Sequence, residues 1–224
     1  MPSAKKTARE PQQERSRRTR DGLLAACERL LDERPFSDVT VKDIVAEAGS
    51  SAGSFYARFD TKHALLHALH QRLHDRGLRG VERAVARLEG SRLTPERFAH
   101  MLVGSTLHLH AANRGLLRAV LIESITDPSF AERAQHQMRE SSRALARVID
   151  AKGVSLARRA EAIESAQLAV MAILDQELFY GEALLGARRA RAAKSPKEIA
   201  RLERIALAAM GLGPHAPSRA PSKG

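Results

Sequence analysis

A chain of 224 residues can hold one small unit and one medium-sized domain, and it is long enough to bury a real core. Its net charge of +11 favours a polyanionic partner, such as DNA, RNA or an acidic membrane surface, without choosing among them. Cys27 is the only cysteine, which excludes an intramolecular disulfide bond and suits a reducing cytoplasm. The longest apolar run, 168–174, is too short to span a membrane, and the basic N-terminus lacks the apolar segment of a secretory signal. We therefore expect a cytoplasmic protein without a membrane-embedded part.

Helix follows helix along the sequence, which predicts an all-α fold of about nine helices. Apolar residues recur at helical spacing, and no alternating pattern of the strand type occurs. Gly, Asn, Asp-Pro and Ser-Pro positions separate the helices. Their predicted spans are 14–34, a short helix from residue 41 to Gly49, 51–59, 61–89, 95–111, 114–125, 128–151, 156–186 and 196–211.

The short helices before residue 62 carry the strongest local signals. Thr40 suits the position before the second helix, and Asp43 fits the third position of a capping box. Gly49 tolerates the left-handed backbone that ends a helix, and Ser51 can cap a third helix of one or two turns. The side chains from Ser51 to Ser54 are small, so that this third helix can approach another surface closely. These features fit a helix-turn-helix, whose third helix lies in the major groove of DNA.

Residues 40–65, TVKDIVAEAGSSAGSFYARFDTKHAL, resemble the DNA-binding signature of the tetracycline-repressor (TetR) family. The matching residues are Phe36, Thr40, Ile44, Ala48, Gly49, Ser51, Gly53, Phe55, Tyr56, Phe59, Lys62 and Leu65. Three positions depart from the family's usual residues. Ser50 stands where the family usually has Val, Arg58 replaces His or Tyr, and His63 replaces Glu. The motif likeness covers about residues 14–66, and beyond it only the general architecture is similar.

The composition of the two ends and the resemblance together predict four regions along the chain. They are a disordered basic arm (1–13), a helix-turn-helix DNA-binding domain (14–66), a helical regulatory and dimerisation domain (67–211) and a disordered tail (212–224).

The helix-turn-helix mechanism assigns roles to particular side chains. Thr40 would offer its hydroxyl group to a phosphate, and Tyr56 and Lys62 would reach phosphates on either side of the third helix. The short side chains of the third helix can meet a thymine methyl group or a nearby acceptor, but they define no operator sequence. The predicted DNA-binding residues are Thr40, Lys42, Ser50, Ser51, Ala52, Gly53, Ser54, Phe55, Tyr56, Arg58 and Lys62.

In proteins that this chain resembles, the last two helices pair with those of a second copy. Such a homodimer places its recognition helices one DNA turn (~34 Å) apart, as a palindromic operator requires. The helix predicted at 156–186 is apolar nearly all round in its middle, which favours burial on two sides. The alternative is that the last two helices fill the core of a monomer.

A small-molecule effector pocket within residues 95–186 is a further implication of the resemblance. Polar residues on or beside apolar faces of these helices are the candidates to line it, because buried polar groups need partners. They are Ser105, His108, Glu123, Ser124, Gln167 and Glu177.

Four histidines, His63, His67, His70 and His74, form one stripe of the fourth helix, and adjacent members have metal-ligand spacing. The apolar face of this helix lies about a third of a turn away. We therefore expect the stripe to lie at the border with solvent and to form a polar face rather than a metal site. No metal or other cofactor is expected.

The sequence contains no phosphate-binding loop, no HExxH, no G-x-S-x-G and no CxxC, and so it predicts no enzyme. The favoured hypothesis is a transcriptional regulator, usually a repressor, that binds double-stranded DNA and is released by an effector. An activator or ligand-independent regulator with the same DNA-binding domain stays open. So do a helical ligand carrier or enzyme with incidental basic charge, and a basic membrane-surface protein.

Overall fold

The computed structural model of the chain describes residues 12–87, 93–150, 158–192 and 195–212. Within these ranges every regular element is helical, which confirms the predicted all-α class. The helices are α1 (Gln12–Glu33), α2 (Val41–Glu47), α3 (Ala52–Tyr56), α4 (Lys62–Ala86), α5 (Pro95–Ala112), α6 (Arg114–Thr126), α7 (Pro128–Asp150), α8 (Arg159–Ala192) and α9 (Pro196–Ala209). The predicted arm and tail lie almost wholly outside the described residues.

The chain divides into two compact units, residues 1–69 and 70–224, where the sequence placed the boundary after residue 66. Helix α4 is continuous from Lys62 to Ala86, and so its first two turns belong to the first unit and the rest to the second.

The core of the first unit explains why two very short helices hold their shape. Helices as short as α2 and α3 are unstable by themselves, so tertiary packing must stabilise them. Ile44 of α2 and Phe55 of α3 are both completely buried, as are Leu23 and Leu24 of α1. At about 1.5–3 kcal/mol for each fully buried large apolar side chain, this core outweighs the weak helical propensity of the two short segments.

The second unit is a bundle built from α5 to α9 with the C-terminal part of α4. Helix α8 packs against both α7 and α9, and α5 packs against α8 and α9. Phe98, Ile149 and Ile163, one from each of α5, α7 and α8, lie at the centre of this core and have almost no exposed surface. In the part of the chain that the structure describes, no helix combines the length and hydropathy needed to cross a membrane.

Candidate DNA-binding surface and internal cavity

Local hydrogen bonds fix the turn between α2 and α3. Thr40 Oγ1 accepts a bond from the Asp43 N–H (3.2 Å), and Asp43 Oδ2 accepts one from the Thr40 N–H (2.9 Å), which confirms the predicted capping box. Gly49 has a φ of +58°, and the Ser50 N–H donates to the Val45 carbonyl oxygen (2.8 Å) across it. Ser51 Oγ accepts a bond from the Ser54 N–H (3.1 Å) at the start of α3. Side chains within fifteen residues therefore define the path of the turn.

The capping box also occupies the hydroxyl group that the sequence assigned to a phosphate. Thr40 Oγ1 donates to Asp43 Oδ2 (2.7 Å), and the Arg34 guanidinium lies 3.2 Å from the same carboxylate oxygen. The hydrogen bonds from Thr40, supported by Arg34, lower the pKa of Asp43. A negative charge thus already lies at the N-terminus of α2, where it stabilises the helix. The predicted contact of Thr40 with a phosphate stays a prediction.

Helix α3 presents its small side chains to solvent. Ser51, Ala52 and Gly53 are exposed, and Ser54 is half-buried. Tyr56, at the end of the helix, has 57 % of its surface exposed. This arrangement leaves an exposed helical surface with almost no side-chain bulk, which is what close approach to a groove floor requires.

Phe55 was wrongly included among the predicted DNA-binding residues. Its side chain is completely buried, and its ring centroid lies 5.7 Å from that of Phe59 and 5.3 Å from that of Tyr56. The physical reason is that position 55 lies on the side of α3 that is turned toward the core, where the ring of Phe59, just beyond the helix, is buried as well. Phe55 therefore holds the recognition helix in place and has no surface to offer DNA.

Two basic side chains of the predicted set are engaged inside the first unit. Arg58 Nη1 donates to the Ser54 carbonyl oxygen (2.7 Å), and Arg58 Nε donates to that of Ser16 (3.2 Å) on α1. Lys62 Nζ donates to the carbonyl oxygens of Phe36 (2.9 Å), Val39 (3.1 Å) and Ser37 (3.4 Å). It also lies 4.5 Å from the centroid of the Phe36 ring. Arg58 thus ties α3 to α1, and Lys62 fastens the segment that leads into α2.

Replacing Lys62 with methionine is expected to lower the free energy of unfolding by about 1–3 kcal/mol. The change keeps the length of the side chain but removes three donors, so three carbonyl oxygens lose a charged partner. Thermal unfolding of the full chain measures the effect. Lys42→Met is the matched control, because Lys42 is exposed on α2. Equal stability of the two variants would mean that the carbonyl oxygens bind water just as well.

The second unit encloses a cavity bordered by α4, α5, α6, α7 and α8. About 80 Å³ of it is open to the centres of water molecules. Among the residues that line it, nine are leucine, valine or methionine and seven are polar. A broader groove beside it shares His70, His74, Met138 and Met171 with the cavity and opens to the surface.

The predicted effector residues fall in different places around this cavity. Ser105 and Gln167 line it, and Ser124 lines the groove. Gln167 Oε1 accepts a bond from Ser142 Oγ (2.7 Å), so Ser142 fixes the amide at the wall. Glu123 lines neither space. His108 points the other way on α5 and is exposed, so its assignment to the pocket was wrong.

The side chain of the sixth candidate, Glu177, lies outside the described residues. Sequence reasoning missed His110 and Asp175, although both are polar residues within the apolar stretches of α5 and α8. The same pattern, a polar residue beside an apolar helix face, had made Ser105 a candidate.

The histidine stripe of α4 does not follow the border with solvent, contrary to the prediction. His63 is exposed, but His70 retains only 5 % of its surface. His74 Nε2 lies 3.1 Å from His70 Nε2, and its Nδ1 lies 3.2 Å from Ser141 Oγ on α7. Burial lowers the pKa of His74 to about 4, against a smaller upward effect of Asp75. From His70 onward, therefore, a second side of α4 is covered by the helices around the cavity.

Within the described ranges, no three His, Cys, Asp or Glu side chains converge in a metal-binding arrangement.

Solved structures with the same fold are known. They include GusR of Salmonella enterica, which is 23 % identical, with 86 % of this chain and 95 % of that chain covered and a TM-score of 0.59. A TetR transcriptional regulator from Rhodococcus sp. RHA1 is 16 % identical, with coverage of 87 % and 97 % and a TM-score of 0.58. A TetR-family transcription regulator from Marinobacter aquaeolei VT8 is 17 % identical, with coverage of 88 % and 97 % and a TM-score of 0.54. At these identities the likeness is one of fold. No curated protein matches the chain.

The capped turn and the exposed small-residue helix make the first unit a helix-turn-helix DNA-binding domain. Residues 23–69 match the model of the bacterial regulatory proteins of the tetR family. The match places this domain in the tetR family, and the solved structures show that the chain as a whole shares the fold of such regulators.

Proposed function

We propose that the protein represses transcription by binding a palindromic operator as a homodimer and leaves the operator when a small molecule binds its second unit. The observation that carries the proposal is the exposed face of α3, where Ala52 and Gly53 present almost no side chain. Such a helix would lie deep in the major groove, while Lys42 and Tyr56 contact phosphates beside it. The protein would act in the cytoplasm, where its operator lies.

The need for glycine at position 53 can be tested directly. A Cβ atom added there would meet only Ser51 Oγ, at 3.9 Å, so nothing inside the protein requires glycine. We expect Gly53→Ala to stabilise the folded chain by up to about 1 kcal/mol and still weaken operator binding, because the added methyl group stands between α3 and the groove floor.

The control for this change is Gly22→Ala on α1, where an added Cβ has no neighbour within 4 Å. It should stabilise the chain in the same way and leave DNA affinity unchanged. Fluorescence anisotropy with a labelled operator duplex gives the affinities, and thermal unfolding gives the stabilities. Full affinity in Gly53→Ala would show that α3 does not approach the groove floor closely.

Tyr56→Phe should weaken binding to specific and non-specific duplexes alike, by about fivefold to 150-fold. In each copy of the homodimer it removes one neutral hydrogen bond to a phosphate, of about 0.5–1.5 kcal/mol, and keeps the edge-on ring contact with Phe55. The slope of affinity against salt concentration should not change, since no charge is lost.

Lys42→Met is the comparison for Tyr56→Phe, because the homodimer then loses two phosphate-bound cations, one per copy, and the salt slope should fall by about two. The operator needed for both measurements is first selected from a random duplex library with the purified protein. If Tyr56→Phe binds as tightly as the unchanged protein, the proposed docking of α3 is incorrect.

Exposed apolar side chains on α8 support the homodimer. Leu168 and Phe179 lie on one face, eleven residues apart, and keep 52 % and 43 % of their surface exposed. Large apolar side chains that one copy leaves uncovered suit a symmetric contact with a second copy. Sedimentation equilibrium at micromolar concentration tests this, and a monomer at that concentration would contradict it.

The cavity supports the effector. Helix α4 contributes Leu73, His74, Gly77 and Leu78 to its wall, and the same helix begins at Lys62 in the DNA-binding unit. At Gly77 an added Cβ would lie 2.9 Å from Leu109 Cδ1, so α4 and α5 are already in close contact there. A ligand that needs a slightly different position of α4 would favour the state that binds DNA poorly, as coupling between two sites requires.

A further inference from the structure

The most unusual polar feature of the second unit is a buried pair formed by His110 of α5 and Asp175 of α8. His110 lines the cavity and Asp175 lines the neighbouring groove. His110 Nε2 lies 3.2 Å from Asp175 Oδ1, and the two side chains keep only 10 % and 20 % of their surface exposed. Although the atoms are close, their alignment makes no hydrogen bond, and within the described residues neither atom has another partner. Both therefore have unused hydrogen-bonding capacity in a place that water reaches poorly.

The charge of the surrounding wall restricts what can use that capacity. Among the described residues that line the inner cavity there is no Lys, Arg, Asp or Glu. Its polar groups are hydroxyl groups, one amide and the imidazoles of His70, His74 and His110. The groove adds Asp175 and Glu164 on one side and Arg139 on the other. Apart from Asp175 at its border, the described lining of the inner cavity therefore offers a ligand apolar atoms, hydroxyl groups, an amide and imidazoles.

The inner cavity limits a ligand to one small ring. It has about 80 Å³ open to the centres of water molecules, which is less than the ~150 Å³ of an apolar cavity that binds benzene. A substituted benzene ring would therefore also occupy part of the adjoining groove. Met138 and Met171 stand where the cavity meets the groove, and methionine side chains adapt well to flat rings.

From these observations we infer that the cavity binds an uncharged monocyclic molecule with a hydroxyl group, of the phenol class, through His110 and Asp175. The inference rests on the proposed effector function and names the class of ligand for it. A hydroxyl group donates and accepts at one atom, so it can donate to Asp175 Oδ1 and accept from a proton on His110 Nε2. Its ring then lies against the leucine and methionine side chains of the wall.

Charged ligands fit the same wall less well. A carboxylate would bring a second anion to Asp175 without a lysine or arginine in the inner cavity to offset it. An ammonium group would pair with Asp175, but its other donors would lose water in a largely apolar space. The difference between these classes makes the inference testable on the unchanged protein.

The test compares four probes of similar size by isothermal titration calorimetry with the full chain at pH 7.5: p-cresol, toluene, benzoate and benzylamine. We expect p-cresol to bind at least about tenfold more tightly than toluene, because two hydrogen bonds to buried groups are added. Benzoate and benzylamine should bind more weakly than p-cresol. Equal or tighter binding of either charged probe, or no binding of any probe, overturns the inference.

Two variants locate the site. Asp175→Asn keeps the shape of the side chain and removes the charged acceptor, and so it should weaken p-cresol binding about tenfold while toluene binding changes little. His108→Asn is the control, because His108 is exposed on the same helix as His110. Unchanged p-cresol affinity in Asp175→Asn would show that the hydroxyl group lies elsewhere and would overturn the assignment. The probe series does not depend on the folding of either variant.

Operator binding is measured separately with the same four probes. If p-cresol binds as expected but does not release the operator, the regulatory proposal fails and the ligand class stands. If a charged molecule releases the operator and p-cresol does not bind, the ligand class fails and the regulatory proposal stands.

Discussion

Phe55→Ala is expected to destabilise the first unit by about 3–5 kcal/mol and to abolish operator binding. The residue is completely buried, so that truncation removes its contacts with Phe59 and leaves a cavity under α3. A helix of five residues has no stability of its own with which to resist this loss. The expected change is comparable with the whole stability of a small domain. The recognition helix should therefore lose its position along with its support.

Amide hydrogen exchange within residues 41–56 reports on this change locally, while circular dichroism follows the whole chain. Exchange should accelerate in α2 and α3, and the helical signal of the second unit should persist. Tyr56→Ala is the matched control, since Tyr56 is the exposed neighbour of Phe55 and its loss should leave exchange nearly unchanged. Normal protection in Phe55→Ala combined with lost DNA affinity would restore Phe55 as a contact residue.

The parts of the fold that the sequence predicted correctly depend on interactions between near neighbours. The capping box of Thr40 and Asp43, the left-handed Gly49 and the Ser51 cap each involve residues no more than five positions apart. Helical periodicity of apolar residues likewise located α4 to α9 to within a few residues, apart from the C-terminal end of α8. Such features can be read without knowing which helices pack together.

The sequence did not show the interactions between residues that are far apart in the chain. Arg58 reaches Ser16 and Lys62 reaches Phe36, across 42 and 26 positions, so no local pattern shows that these cations have partners within the fold. Their contacts with phosphates stay predictions, based on the tendency of basic side chains near a recognition helix to bind phosphates. Phe55 was predicted as a DNA contact for another reason. A family signature contains the buried residues that support the DNA-binding surface as well as the exposed residues that form it.

The histidine stripe shows the same limitation inside the second unit. His63, His67, His70 and His74 share one side of α4, and the sequence of that helix treats them alike. Ser141 lies 67 positions from His74, and only the packing of α7 brings the two side chains together. The first histidine of the stripe is therefore exposed to solvent, whereas the last two line the cavity. This difference in burial depends on tertiary structure alone.

The buried end of the stripe should make the second unit sensitive to mild acid. In the unfolded chain the His74 imidazole has a pKa near 6.5, whereas burial lowers the pKa to about 4 in the folded protein. Between these pH values the unfolded state binds a proton that the folded state does not, so stability decreases as the pH falls from about 6.5 to 4. At 1.36 kcal/mol for each unit of pKa shift, the loss amounts to about 3 kcal/mol.

His74→Gln isolates this effect, because glutamine can still bond to His70 but cannot take up a proton at these pH values. Denaturation by urea at several pH values should give a flatter dependence for the variant between pH 6.5 and 4, and parallel curves outside that range. Asp127 has a lowered pKa, chiefly through its hydrogen bond from Ser129, and loses its stabilising effect at lower pH in both proteins. It therefore cancels in the comparison. An equal slope in the two proteins would place the His74 ring in contact with water and would contradict its burial in the folded protein.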